Sequence, residues 1–298
     1  MHRPSVPKRK TTDIIQSASV TALFRALMAE ESGLGKNPDF LAKYFINNVW
    51  KEFLNDIDKS RIELENRLPG GIYYHLIRTI YFDKSLTNWL NSYPKSQVVF
   101  LGTGFDTRSM RLAGLLKEAK IYEVDLGAML DYKKSVIKTH SLEKSSDNKT
   151  YVSIDFHTER TIDKLRSAGF DTEQPTYYLI EGLSFFLEEK TIVNMFRDLV
   201  SDSEGITRVS FDYVFKDYID GELSYYGAAE MNRELSLIKE PHLFGLDFNM
   251  VESFFNDLNL KTLNNYTSLM LEALYLTNNN GDSIGRPHTF FGLTEVEN

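Results

Sequence analysis

The sequence predicts an α/β chain: a doubly wound, mostly parallel, seven-stranded sheet with helices on both faces, an N-terminal helical cap and an inserted helical lid. Three observations carry this expectation. Residues 97–125 hold a buried-strand run, two glycines, a helical run and a second strand, the pattern of a first βαβ unit. Strand-like and helix-like runs alternate from there, and the strand runs are too apolar to have one face in water. Ahead of the first strand, residues 11–91 read as helical.

Composition bounds the chemistry. With 298 residues and 42% hydrophobic content, the chain can bury a large core. A net charge of −8 argues against nucleic acid as a partner. The chain has no cysteine, which excludes disulfides, thiolate metal sites and cysteine nucleophiles. No apolar run reaches the length of a membrane span, and the basic start (His2, Arg3, Lys8, Arg9, Lys10) has no apolar segment behind it. A cytoplasmic enzyme is the expectation.

Each element has its own signal. Residues 1–10 read as a disordered tail. A helix over 11–30 shows Ile14, Ala18, Leu23, Phe24 and Leu27 near one face, and Gly33 and Gly35 stop it. Phe40, Tyr44, Phe45, Val49 and Phe53 predict a second helix over 39–57. Leu68-Pro-Gly-Gly71 is a turn, and a third helix over 72–90 carries His75 and Arg78. Beyond the first strand (98–101), helices are expected over 107–119, 128–138, 158–168 and 188–200. Strands are expected over 121–124, 151–154, 176–180 and 206–211, with a surface loop over 141–149. Residues 212–245 are rich in tyrosine, acids and methionine, show no clear strand, and read as the lid. Helices over 248–258 and 269–276 and strands over 261–265 and 288–294 close the chain, the last two strands as a hairpin.

The glycine segment limits the ligand. Gly102 and Gly104 let backbone approach a bound molecule, and the helix start beyond them offers free N–H groups. Asp125, 21 residues after Gly104, has the spacing of a ribose-binding acid. A dinucleotide site would want a third glycine where Thr107 stands. A diphosphate would also be repelled by Asp106. Asp106 suits an ammonium or a sulfonium, which favours S-adenosylmethionine (SAM) over NAD. It also suits an N-cap, and the two roles are compatible.

Ligands of open α/β sheets bind beyond the carboxyl ends of the strands. The first four ends here carry Gly102 and Gly104, then Asp125, Asp155 and Glu181. SAM gives these acids work: its ribose for Asp125, its adenine amine for Asp155, its ammonium or sulfonium side for Glu181. Its carboxylate needs a cation, and Arg78, Arg108 and Arg111 are candidates. His75, His157, His242 and His288 are the possible bases, but no pairing activates one, so no catalytic base is assigned. No histidine–acid cluster shows metal-ligand spacing.

These residues resemble a known family. Val98-Val-Phe-Leu-Gly-Thr-Gly-Phe-Asp-Thr-Arg108 is similar to the LGxGxDTR motif of the leucine carboxyl methyltransferases, which include a bacterial polyketide carboxyl O-methyltransferase branch. Tyr122-Glu-Val-Asp125 resembles its EVD strand end, and Ile180-Glu-Gly-Leu-Ser-Phe-Phe-Leu-Glu188 its EGLxxYL segment. Arg78-Thr79 with Asp83 resembles RTxxxD, and Glu240-Pro-His-Leu-Phe-Gly-Leu-Asp247 the EPxxFGL lead. Two positions depart: Phe186 stands where a tyrosine is usual, and Gly127 where a proline is.

The resemblance implies a class I SAM-dependent methyltransferase domain over 92–298, with the lid at 212–245 and the cap at 11–91. It implies that Arg78 holds the SAM carboxylate and that Gly102 and Gly104 line the methionyl part. It places Asp125 at the ribose, Asp155 near adenine and Glu181 at the methionyl amine. Thr103, Asp106, Leu126, Phe156 and Gly182 complete the expected cofactor-binding set. The expected activity is O-methylation, most simply of a small-molecule carboxylate, since the acids Asp217, Asp220, Glu222 and Glu230 in the lid suit an anionic protein tail poorly. A hydroxyl acceptor, a protein C-terminal carboxyl, a NAD or nucleotide-sugar enzyme and a silent SAM-binding protein are the alternatives.

Overall fold

The computed structural model describes residues 11–143, 148–201 and 203–298. The expected tail at 1–10 and the middle of the loop at 141–149 lie outside the described residues.

The cap opens with α1 (Thr11–Ala29). The expected helix over 39–57 does not form. Its place is taken by 3-10 turns at Ala42–Phe45 and Lys51–Leu54, with Phe40 and Val49 exposed. Asn37 and Asn47 explain this. Their side-chain carbonyls accept from the backbone N–H two residues on, at 2.9 and 3.1 Å, and hold the chain in turns that compete with a helix. The chain turns helical only at α2 (Ile57–Arg67), where the Asp56 carboxylate caps Lys59 N at 3.1 Å. Of α2 only Ser60 and Leu64 are buried, so it leaves no apolar stripe to read. Then comes α3 (Gly71–Ser92), whose buried face carries His75, Arg78, Phe82, Leu86 and Trp89.

The sheet begins with β1 (Gln97–Leu101). The expected long helix after it is reduced to α4 (Arg108–Arg111) followed by turns through Gly114, a poor helix former. Next come β2 (Lys120–Asp125), α5 (Gly127–His140), β3 (Lys149–Ser153), α6 (Thr161–Ser167), β4 (Thr176–Ile180) and α7 (Glu189–Ser201).

β5 (Thr207–Phe215) extends into the segment expected to be all lid, because Asp212, Tyr213 and Val214 pair with the last strand. The insertion therefore starts at α8 (Lys216–Ile219) and continues through α9 (Ala228–Ile238) to the two-residue strand β6 (Gly245–Leu246). The chain ends with α10 (Val251–Asn256), β7 (Lys261–Thr267), α11 (Ser268–Tyr275) and β8 (Phe291–Glu297). The last strand starts three residues later than expected. His288 N bonds Gly70 O and Thr289 N bonds Tyr226 O, which ties those residues to the cap and lid instead.

The sheet has eight strands rather than seven, in the order β3-β2-β1-β4-β5-β8-β7, with β6 paired to β5. β1 to β5 are parallel; β8 runs antiparallel to β5 and to β7. One apolar cluster packs the cap and α3 on one face, and a second packs α6, α7 and α10 on the other. The strand order reverses between β1 and β4, so their carboxyl ends diverge into a crevice. No helix among the described residues is long and apolar enough to cross a membrane.

Candidate cofactor and acceptor site

That crevice is the floor of a cavity of about 620 Å3. Its walls include all eleven residues expected from the sequence: Arg78, Gly102, Thr103, Gly104, Asp106, Asp125, Leu126, Asp155, Phe156, Glu181 and Gly182.

The loop after β1 is held by β2. Gly102 N and Thr103 N donate to Val124 O at 2.8 and 3.1 Å, and Gly104 N donates to the Asp125 carboxylate at 2.8 Å. Gly102 has φ +64°, and a Cβ there would lie 2.9 Å from Leu183 Cδ2. Glycine is required on both counts. Asp125 takes a second backbone bond from Leu126 N at 2.7 Å, so its orientation is fixed while each oxygen keeps a lone pair. Burial raises its pKa, and the two backbone bonds work against that rise.

Lys133, wholly buried on α5, donates to the Thr103 hydroxyl at 2.8 Å and pairs with Glu123 at 2.6 Å. The loop is thus fixed from behind as well as from below.

Arg78 does not stand free. Its Nη1 donates to Asp212 at 3.0 Å and its Nε lies 3.0 Å from Glu181. Its Nη2 has no protein partner among the described residues, and Gly182 lets the guanidinium come close: a Cβ there would sit 3.3 Å from Nη1. Glu181 also takes Arg108 Nη1 at 2.6 Å. Burial alone would raise its pKa, but Arg108 and Arg78 outweigh that and hold it far below the usual carboxylate range. Asp106 accepts from Arg108 N at 2.7 Å and pairs with its guanidinium at 2.6 Å, so it closes the loop locally. Arg108 and Arg111 both bind Asp83, with contacts of 2.6 to 2.7 Å. The two arginines offered as alternatives to Arg78 therefore hold the glycine loop to α3. Asp155 lies just beyond β3, with its carboxylate accepting from His157 N at 3.0 Å.

Two acids of this network escaped sequence reasoning. Asp212 takes Arg78, Tyr74 OH at 2.8 Å and Gly182 N at 2.8 Å. Its signal was present: a lone acid inside the apolar run Ser210-Phe-Asp-Tyr-Val214, on the next strand after Glu181. Asp39 takes Arg25 Nε at 2.8 Å and the Thr107 hydroxyl at 2.5 Å. It had no signal, because the turns around it were not expected. Among the described residues seven acids and five arginines line the cavity, an excess of negative charge.

The remaining wall is apolar. It comes from α1, α2, the 3-10 turn at Ser184–Phe186, α9 and Phe291. His75, His157 and His242 belong to the cavity wall, and His288 is buried outside it. His75 Nδ1 donates to Gly71 O at 2.7 Å. Burial, then the Arg78 charge, push its pKa well down, so the ring is neutral. Among the described residues no group of three or more histidines and acids could hold a metal.

Residues 18–200, more than half of the chain, match the leucine carboxyl methyltransferase family, and the chain belongs to it. Relatives from Mycobacteroides abscessus and Mycobacterium tuberculosis, provisionally named S-adenosyl-L-methionine-dependent methyltransferases, are each 29% identical over 208 and 212 residues. The matches cover 67% and 68% of this chain and 65% and 66% of those relatives, so the chain spans just under two thirds of their length. The fold is similar to a provisionally named methyltransferase from Thermobifida fusca YX (TM-score 0.60, 12% identity, 93% of each chain). It is equally similar to a DUF574-family protein from Streptomyces avermitilis (TM-score 0.61, 11% identity, 95% of this chain and 98% of that one).

Proposed function

We propose that this protein is an SAM-dependent O-methyltransferase acting on the carboxylate of a small molecule. One observation carries the reading: glycines and acids from successive strand tips line a single cavity with excess negative charge. SAM brings a sulfonium and an ammonium against one carboxylate, and that balance fits the excess. A diphosphate does not.

The geometry supports the following assignments. Asp125 takes the ribose hydroxyls on its remaining lone pairs. Arg78 offers Nη2 to the methionyl carboxylate. Glu181 and Asp106 sit where the ammonium side falls, Gly102, Thr103, Gly104 and Gly182 line the methionyl chain, and Leu126, Asp155 and Phe156 enclose the adenine. When bound, SAM supplies an electrophilic methyl group on a good leaving group. The protein's part is to hold acceptor oxygen, methyl and sulfur in line and to keep water out. A carboxylate acceptor is ionised at neutral pH and needs no base.

His75 favours a second reading. With Nδ1 donating to Gly71 O, its Nε2 bears a lone pair with no protein partner among the described residues. It would accept from a hydroxyl and would repel a carboxylate. An acceptor hydroxyl is therefore the alternative, with His75 as its hydrogen-bond partner.

Thermal unfolding is expected to shift upward with SAM or S-adenosylhomocysteine and not with NAD(H). A shift with NAD(H) alone removes the proposal. Asp125→Ala is expected to weaken S-adenosylhomocysteine binding about 10- to 100-fold, since hydrogen bonds to a charged group contribute roughly 1.5–3 kcal/mol. Unchanged affinity by calorimetry removes the ribose assignment.

A further inference from the structure

The two walls of the cavity differ in chemistry. One is built from strand tips and is charged. The other is built from the cap, the lid and the end of the sheet, and it presents Phe24, Leu64, Phe186, Met231, Leu235 and Phe291.

Apart from Arg78 Nη2, assigned above to the methionyl carboxylate, no cation among the described residues is available on either. Each of the five arginines lining the cavity is already paired: Arg25 with Asp39, Arg78 with Glu181 and Asp212, Arg108 with Asp83, Asp106 and Glu181, and Arg111 with Asp83. Arg67, at the rim of the apolar wall, is bound to Glu234 through both Nε (3.1 Å) and Nη2 (2.6 Å). Among the described residues no lysine lines the cavity. An acceptor with a second anionic group would bury it against aromatic and aliphatic side chains without a partner, which is strongly unfavourable.

The Arg67–Glu234 pair also joins α2 to α9, so the apolar wall is closed across its cap–lid seam. Arg233 adds a bond to Arg67 O at 3.3 Å.

We propose that the methyl acceptor is a compact molecule with an apolar aromatic or aliphatic body and a single reacting oxygen acid. Its body lies between α2 and α9, and no second anionic group enters the cavity. This rests on the methyl-transfer reading above and narrows it to one substrate class. It excludes dicarboxylates and acidic peptide tails.

The test uses the full chain loaded with S-adenosylhomocysteine, titrated calorimetrically with 2-naphthoate, decanoate and succinate. The expected result is that at least one of the two apolar acids binds about tenfold or more tighter than succinate. Leu235→Asp is expected to remove that preference while leaving S-adenosylhomocysteine affinity unchanged, with a lower thermal midpoint because the new carboxylate is buried. Should Leu235→Asp fail to fold, Met231→Gln carries the same test, with a smaller loss. Succinate binding as tightly as the apolar acids, or neither apolar acid binding, overturns the proposal. So does an undiminished preference in a folded variant. If S-adenosylhomocysteine itself does not bind, the methyl-transfer reading fails first, so the two failures are told apart.

Discussion

The strand-tip wall and the cap–lid wall of the cavity are built on opposite principles. At the strand tips, positions are fixed by backbone geometry and charge. Gly102 sits at φ +64°, Asp125 binds two backbone N–H groups, and Glu181 is held between two guanidiniums. Each partner there is determined by several others, so the wall is preorganised and tolerates little change. The cap–lid wall is held by apolar packing and one rim ion pair. Packing is non-directional, so such a wall tolerates exchange of side chains of similar volume. The contrast fits a site in which one ligand is constant and the other is particular to this chain.

Three experiments would break or sharpen that contrast. The largest effect is expected on the rigid wall. Gly102→Val places a branched side chain at positive φ and against Leu183. S-adenosylhomocysteine affinity should fall 100-fold or more, about 2.7 kcal/mol, as measured by calorimetry. A loss under threefold would mean that the loop is not preorganised.

The second effect concerns His288, which is buried where cap, lid and last strand meet. Burial lowers its pKa from 6.5 to about 3. The folded state therefore binds fewer protons than the unfolded state between these values, and stability falls as pH falls through that window. The slope for one group is about 1.4 kcal/mol per pH unit. His75 is shifted in the same direction, while the raised pKa of Asp125 acts in the opposite one. His288→Gln should flatten the acid limb of urea-derived stability between pH 6.5 and 5. An unchanged slope would show that another group governs it.

The smallest effect is at the rim. Arg67→Ala removes a half-exposed ion pair, for which a loss of about 0.2–1 kcal/mol in stability is expected. S-adenosylhomocysteine affinity should not change, and acceptor KM should rise. A change in S-adenosylhomocysteine affinity instead would mean that the two walls are coupled.

The rigid wall was legible in the sequence and the adaptable one was not, for a physical reason. Strand tips carry their chemistry in short local motifs. A glycine needing positive φ and an acid ending an apolar run can each be read within a few residues. The cap–lid wall is assembled from α1, α2, α9 and Phe291, which are far apart in the chain and share no local pattern. α2 buries only Ser60 and Leu64, so periodicity could not reveal it. The expected helix over 39–57 failed because two asparagine side chains outcompeted a plausible apolar stripe. β5 runs past the expected end at residue 211 because Asp212, an acid inside an apolar run, is a buried partner of Arg78.

By itself, the sequence determined the alternating α/β order, the parallel core of the sheet, the glycine loop and the acids at its edge, since local sterics and burial pattern dictate them. Only the tertiary structure decided which arginine keeps a guanidinium nitrogen unpaired at the cavity and which ones hold the loop. That choice depends on which acids the fold brings within about 3 Å, and charge pairing over that distance is invisible in a linear chain.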